Sequence, residues 1–383
     1  MDLDLKEIRS EIDSIDEQIV DNFEKRLELC REVAEYKIET GMQVLDRKRE
    51  NRKIETVMDM AQSDFSRYGI HELFTQIMAI SRKLQYQLLA QNGINTGLPF
   101  ERVKEIPRSG VKVVYQGVPG AYAHAAACRF FDEASISNVR TWDDAMKAIC
   151  AGNTDFAVLP IENSSAGSVA EVFDLLVKYD NYIVGETYVG VDHVLLGLPG
   201  ADLKDIELIY SHPQGLMQCS RYLNDHSSWK QYGTDNTAVS AMRVRDEGSK
   251  KNAAIASRMA GELYGLEVLD TNIMNSRFNT TRFIVVSSRK VYPRNANKIS
   301  ICFETKHENA ALYNMLSHLT YNGLNMVKLE SRPILGRPWE FRFFVDFEGS
   351  LDDAGVKNAL RGIIEEANYF RILGNYYSDG KGK

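Results

Sequence analysis

Residues 1–92 contain no proline, and no glycine precedes Gly41. A turn-rich β fold is therefore excluded there, since Gly and Pro are the strongest local punctuation a chain has. The five cysteines (30, 128, 150, 219 and 302) are scattered, odd in number and form no C-x-x-C. This argues against a disulfide framework or a zinc site and fits reduced thiols in a cytoplasmic protein. There is no long basic run, and the net charge is −7, which excludes nucleic acid as the main partner. No apolar run approaches the roughly 20 residues of a membrane span. The opening "MDLDLKEIRSEID" is charged from its second residue, so no signal peptide is expected. No Ser/His/Asp order and no cluster with metal-ligand spacing stands out, so neither a metal nor a cofactor is expected.

What is present is an ordinary balance, 44% hydrophobic and 26% charged over 383 residues, too long for one core and suited to two or three domains. Three patterns succeed one another. In residues 1–92, Leu5, Ile8, Ile12, Ile15, Ile19 and Phe23 recur at threes and fours, a helix stripe. Breaks at "ETGMQ" (39–43) and "SRYG" (66–69) predict one long helix and two shorter ones. The Gly-, Pro- and Asn-rich stretch 93–109 reads as a linker. From Val111, short apolar runs alternate with helical stretches, the α/β signature. After "SSRKVYPRNAN" (287–297) the order becomes β-α-β-β-α-β, as in ferredoxin-like folds.

The first segment places cations on the wrong face. Continued past Phe23, the stripe reads Arg26, Cys30, Val33, Lys37, with Arg9 one position off it. A buried cation is costly unless an anion meets it. The second helix repeats the pattern with Asp46, Arg49 and Glu50 on one face, and the third puts Ser81 into its stripe with Gln85 beside it. Individually these are snorkelling or paired residues; together, cation-rich on three inner faces, they predict a pocket for a small dianion. The segment resembles the all-helical chorismate mutase family along nearly all of 1–90. The resemblance implies that Arg9, Arg26 and Arg49 hold the two carboxylates of chorismate. It assigns Lys37 and Gln85 to the ether oxygen, and Asp46, Glu50 and Ser81 to the hydroxyl and carboxylate ends. It also implies an interlocked homodimer in which the long helix lends an arginine to its partner.

In the second segment, polar residues gather where strands end and helices begin, the ligand edge of open α/β sheets. "VVYQGVPGAYAHAAA" (113–127) offers amides at a helix N-terminus, which suit an anion. "DFAVLPIENSSAGSV" (155–169) brings Glu162, Asn163 and Ser164; "YSHPQGLMQC" (210–219) brings Ser211, His212 and Gln218; "TDNTAVSAM" (234–242) brings Thr237. Each alone is a helix cap, and His212 before Pro213 has a turn role as readily as a general-base role. The fifth such stretch is "NTTRFIVV" (279–286). Along a strand Thr281 and Phe283 share one face, Thr280 and Arg282 the other.

These motifs resemble the prephenate dehydratase family, above all through "NTTRF" and "FAVLPIENSSAGSV". The resemblance implies two α/β lobes around a cleft, like periplasmic binding proteins. Prephenate would lose CO₂ and its ring hydroxyl there to give phenylpyruvate. Thr281 would donate to the departing hydroxyl. Glu162, Asn163, Ser164, Ser211, Gln218 and Thr237 would line the cleft, and Arg282 either meets a carboxylate or braces the opposite side. Ala123 and Asn236 depart from the family pattern, which has Ser and "ST" there.

The third segment resembles the ACT regulatory domain of the same enzymes through "ESRP" (Glu330, Ser331, Arg332, Pro333) and the turn "NAALY" (309–313). That implies L-phenylalanine binding by these residues with Ala310, Ala311 and Leu312. Ala310 stands where the family has Gly.

The sequence is thus expected to be a multidomain, cytoplasmic homodimer or higher oligomer. Its expected parts are an all-α mutase domain (1–92), a linker (93–109), a two-lobed dehydratase domain (110–288) and a βαββαβ ACT domain (297–377). The expected activities convert chorismate through prephenate to phenylpyruvate, with feedback inhibition by phenylalanine. A fusion to prephenate dehydrogenase requires a G-x-G-x-x-G after a strand, and none is present. A non-catalytic binding protein would have no use for the complete polar set.

Overall fold

The computed structural model describes residues 4–94 and 98–379, so residues 1–3 of the first segment and 95–97 of the linker lie outside the described residues. The chain divides into two compact units, one built from 1–98 and 301–371, the other from 99–300 and 372–383.

In the first unit, helix α1 (Leu5–Thr40) starts at the Asp4 cap and stops where Gly41 takes a left-handed conformation, φ 70°. Helix α2 (Arg47–Met58) is capped by Asp46, whose carboxylate accepts from Arg49 N. Helix α3 (Asp64–Gln91) begins with a capping box between Ser63 and Ser66. The second break therefore falls at Asp59–Ser63, and the "SRYG" expected to form it lies inside α3. Reciprocal Ser63–Ser66 bonds satisfy the first turn, and Gly69 sits in the helix with open space around its Cα.

The apolar stripe of α1 is not a core in this chain. Leu5, Ile12, Ile15 and Ile19 remain 51–58% exposed, and Phe65 and Tyr68 on α3 are more exposed still. The second half of α3 is different: Ser81, Arg82, Lys83, Gln85, Tyr86 and Leu89 are buried.

The C-terminal segment of the chain has the βαββαβ element order, with strands side by side in the order Met326–Ile334, Arg337–Glu348, Lys298–Glu304, Tyr369–Tyr376. Its helices are Ala311–Tyr321 and Ala354–Glu366, which pack on each other and on α3. The two helices approach closely where a Cβ on Gly362 would lie 2.3 Å from the His318 ring. Ala310 caps the first of these helices at φ 59°, a left-handed conformation costing a non-glycine residue roughly 1–2 kcal/mol.

Two larger sheets form the lobes of the second unit, which also holds the short pair Glu101–Val103 and Val291–Pro293. The first orders strands Tyr182–Gly190, Thr280–Ser287, Phe156–Asn163, Lys112–Gln116 and Ser135–Val139. Its core gathers Val113, Tyr115, Ala123, Ala127, Phe130, Phe131, Val158, Phe283 and Val285. The second orders Glu267–Asp270, His193–Gly197, Asn252–Ser257, Leu208–Ser211 and Lys230–Gly233, over cores that include Val194, Leu196, Ala238 and Ala254, and Leu195, Ile209, Leu223 and Trp229. The chain passes between the lobes at 191–192 and at 271–279.

The "GVPG" turn spans them as well: Gly120, at φ 87°, lies so close to Ala260 that a Cβ would come within 2.9 Å of its Cα. Its amides are engaged, Gly120 N donating to His124 Nδ1 and Ala121 N to Val118 O. The expected anion cradle is therefore a lobe contact, with Ser257 Oγ donating to Gly120 O at 2.9 Å. Among the described residues, no helix is long and apolar enough to cross a membrane.

Candidate active sites

Between α1 and α3, two polar pairs face each other. Arg26 Nη1 donates to Ser81 Oγ, and Lys37 Nζ donates to Gln85 Oε1 at 3.0 Å and Val44 O at 2.7 Å. Four residues apart, Ser81 and Gln85 lie on one face of α3, about 6 Å apart along its axis. Burial, then the neighbouring Arg49 guanidinium, holds the Lys37 ammonium below its ordinary value, while Glu50, Asp46 and Glu365 pull it back. The start of α2 thus lies within electrostatic reach of Lys37, with Asp46 and Arg49 exposed and Glu50 half-buried. Glu50 accepts from Arg82 Nη1. Arg9 is elsewhere: it is exposed and 28 residues before Lys37 on the same helix, about 42 Å away along the axis.

In the second unit, the Thr280–Ser287 strand is antiparallel to Phe156–Asn163, with Thr281 opposite Asn163. Asn163 Nδ2 donates to Thr281 Oγ1 and Asn279 Oδ1, both at 2.8 Å. Its amide orientation is set by the backbone, because Ser165 N and Ala166 N both donate to Asn163 Oδ1. Thr281 Oγ1 thus accepts from Asn163 and keeps its own proton to donate. Ser164 braces the same mouth, its Oγ accepting from Thr280 N at 2.9 Å.

Past Thr281 the register slips between Arg282 and Phe283, opposite Pro160, a proline tolerated where a bulge interrupts the ladder. Arg282 lies on the other face, its Nε donating to Glu186 Oε2 at 2.7 Å and its Nη2 to Tyr376 OH at 2.8 Å. Lys298 meets the same Glu186 at 3.0 Å. Glu162 is on that side too, 3.9 Å from Arg282 Nη1. Neither joins the Thr281 group.

The second lobe contributes Gln218, at a cavity of about 190 Å³ lined by Ser165, Met217, Met274, Asn275, Ser276 and Asn279. Ser211 is fully buried, donating to Ile255 O, beside Thr237 across Gly215. His212 caps its helix, its Nδ1 accepting from Gln214 N at 3.2 Å, which is the turn role. Asn236 caps the Thr237–Glu247 helix, accepting from Val239 N, and Ala123 packs in the first lobe's core.

Sequence reasoning missed His193 and Tyr122. His193 Nε2 lies 3.1 Å from Gln218 Oε1, and its Nδ1 3.1 Å from Tyr122 OH. Burial pulls the His193 imidazole down to about 4, so it is neutral near pH 7. A carbonyl oxygen only accepts, so Nε2 carries the proton and Tyr122 donates to Nδ1. The Gln218 NH₂ is thereby turned away from His193. Arg82 was missed as well. In the C-terminal segment, Glu330 and Arg332 are half-buried and Ser331 and Pro333 exposed on the Met326–Ile334 strand, while Ala311 and Leu312 are half-buried after Ala310.

Residues 113–291 match the prephenate dehydratase family and residues 8–86 the family described as chorismate mutase type II. A bifunctional chorismate mutase/prephenate dehydratase of Enterobacter agglomerans is 33% identical, the match covering 97% of this chain and 95% of the relative. Among solved structures, a prephenate dehydratase of Arthrobacter aurescens in complex with L-Phe is similar with a TM-score of 0.65 at 29% identity, covering 71% of this chain and 91% of that one. GqqA, described as a quorum quenching acylase, is similar with a TM-score of 0.66 at 31% identity, over 71% of this chain and all of that one.

Proposed function

The chain belongs to the bifunctional chorismate mutase/prephenate dehydratase family, and from that premise we propose that it rearranges chorismate to prephenate and converts prephenate to phenylpyruvate on the route to phenylalanine. The observation that carries this is the separate assembly of two polar sets. Lys37–Gln85 and Arg26–Ser81 lie between helices, and Asn163–Thr281 lies at a strand mouth.

The first reaction is a pericyclic rearrangement and asks for no acid, base or nucleophile. It needs a folded conformer and donors aimed at the ether oxygen, where charge develops. Lys37 and Gln85 are those donors, with Arg26 and Arg49 on the carboxylates and Asp46, Glu50 and Ser81 at the remaining polar ends. Arg9 reaches a pocket only from a second copy, and the exposed α1 stripe supports a homodimer that covers it.

In the dehydratase step Thr281 donates to the departing hydroxyl as CO₂ leaves, aromatisation supplying much of the drive. An alcohol is too weak an acid to act alone, so its role is to aim a hydrogen bond at developing charge. Asn163 sets that aim, Gln218 offers its amide hydrogens to a substrate carboxylate, and Ser164, Ser211 and Thr237 shape the mouth. Arg282 and Glu162 act from behind the sheet.

We assign residues 1–92 to the mutase, 110–288 to the dehydratase and 297–377 to an ACT domain that binds phenylalanine near Ala310–Leu312 and Glu330–Pro333. Five free thiols fit a cytoplasmic setting. The test is the purified protein with chorismate, following prephenate and phenylpyruvate with and without phenylalanine. Sequential appearance of both products is expected, slowed by phenylalanine. Absence of either product removes that activity, and a rate and melting temperature indifferent to phenylalanine remove the sensor.

A further inference from the structure

Arg82 is buried and lies between two carboxylates. Its Nη1 donates to Glu50 Oε2, and its Nε donates to Glu366 Oε1 at 2.9 Å. Glu366 is the last residue of the Ala354–Glu366 helix. The same Glu366 oxygen lies 3.1 Å from His318 Nε2. Burial would raise the Glu366 carboxyl, but His318 and Arg82 outweigh it and bring it down to about 2.

Around this chain of charges the end of the helix is held at further points. Arg47 Nη2 donates to Glu366 O at 2.9 Å and Tyr86 OH to Glu365 Oε2 at 2.8 Å, while Lys83 Nζ donates to Ser317 Oγ of the neighbouring Ala311–Tyr321 helix at 2.9 Å. Arg47 is the residue after Asp46, so the clamp grips the turn that carries Asp46, Arg49 and Glu50. A free glutamate side chain samples many rotamers, and fixing one of its oxygens leaves the other in a defined place for a ligand hydroxyl. An arginine held at both ends is the group suited to do this, since its fork is rigid and always charged.

We propose that Arg82 is a positioning residue for Glu50 in the mutase site, and that the end of the Ala354–Glu366 helix is part of that site's support. This rests on the mutase reading given above. The bland alternative is that Arg82 and Glu366 only fasten the helices together.

The full-length chain decides between them, with chorismate turnover and prephenate dehydration measured on each variant. Arg82→Met is expected to lower kcat/KM for chorismate on the order of 100-fold, as a displaced catalytic group does. Glu366→Gln, which keeps an acceptor for Arg82, is expected to lower it about tenfold. Dehydration should stay within about twofold of wild type in both variants. In a Glu50→Gln background, Arg82→Met should add less than about twofold, because its effect runs through Glu50.

The proposal is overturned if Arg82→Met lowers the melting temperature while chorismate kcat/KM stays within about threefold. It is also overturned if its loss is undiminished in the Glu50→Gln background. If Arg82→Met does not fold, Glu366→Gln alone decides: unchanged chorismate turnover overturns the proposal, and a selective loss supports it. A wild-type chain that leaves chorismate untouched refutes the mutase reading itself, and the inference falls with it before any variant is compared.

Discussion

The two sites solve opposite problems of charge. Between the helices the groups are charged: Lys37 has Arg49, Glu50, Asp46 and Glu365 in electrostatic reach, and Glu50 accepts from Arg82. At the strand mouth the groups that meet are neutral: a hydroxyl, three amides and an uncharged imidazole. Arg282, next to Thr281 in sequence, is turned to the other face and held by Glu186. A site that must grip a dianion in a folded conformer gains from cations. A site whose substrate sheds a carboxylate as CO₂ gains from poor solvation of that carboxylate, and neutral donors leave it poorly compensated.

Breaking that contrast is expected to have its largest effect at Lys37. Lys37→Ala should reduce chorismate turnover on the order of 1000-fold and leave dehydration of prephenate unchanged, in paired assays on one preparation. Thr281→Ala should do the reverse, lowering phenylpyruvate release by on the order of 100-fold or more with mutase turnover intact. If both activities fall together in either variant, the sites are not separate.

Asn163→Ala keeps Thr281 but frees its lone pair and orientation, so dehydratase kcat should fall about 5- to 100-fold, the range of a lost buried hydrogen bond, and KM less. The neutral character of the second site is sharpened by pH. His193 is held down to about 4 when folded, against about 6.5 in an unfolded chain. Between those values the unfolded state binds the extra proton, so stability is full above pH 6.5 and falls as pH drops towards 4. The contribution is at most about 3 kcal/mol. His193→Gln should flatten that part of the unfolding profile of the dehydratase transition, measured by urea titration at pH 7 and 4.5. The smallest effect belongs to Ala310→Gly, which relieves a left-handed alanine and should change stability by about 1 kcal/mol or less. The same variant should tighten phenylalanine binding measured by calorimetry.

Much of this was legible because periodicity is local. The stripe carrying Arg26 and Lys37, and the alternation separating Thr281 from Arg282, follow from the pitch of a helix and the pleat of a strand. What was not legible depends on partners remote in sequence. Arg82 reads as one more surface cation until Glu366, 284 positions later, is brought to it. His193 and Tyr122 are 71 positions apart; Tyr122 opens the helix after the "GVPG" turn, but nothing local pairs it with His193. The misplaced break at "SRYG" is a different failure. Glycine weakens a helix by only about 1 kcal/mol, and the Ser63 cap decides where α3 begins.

The first unit is assembled from both ends of the chain, 1–98 and 301–371, and this has a consequence in time. Arg82, Lys83 and Tyr86 leave the ribosome long before Glu365, Glu366 and Ser317 are synthesised. At a synthesis rate of roughly 5–20 residues per second, that interval is on the order of 15–60 s. During it Arg82 has Glu50 but not Glu366, and Lys83 and Tyr86 lack Ser317 and Glu365. The nascent helices must wait in a loosely packed state, while the dehydratase lobes, whose segments are nearly contiguous, are free to fold in order.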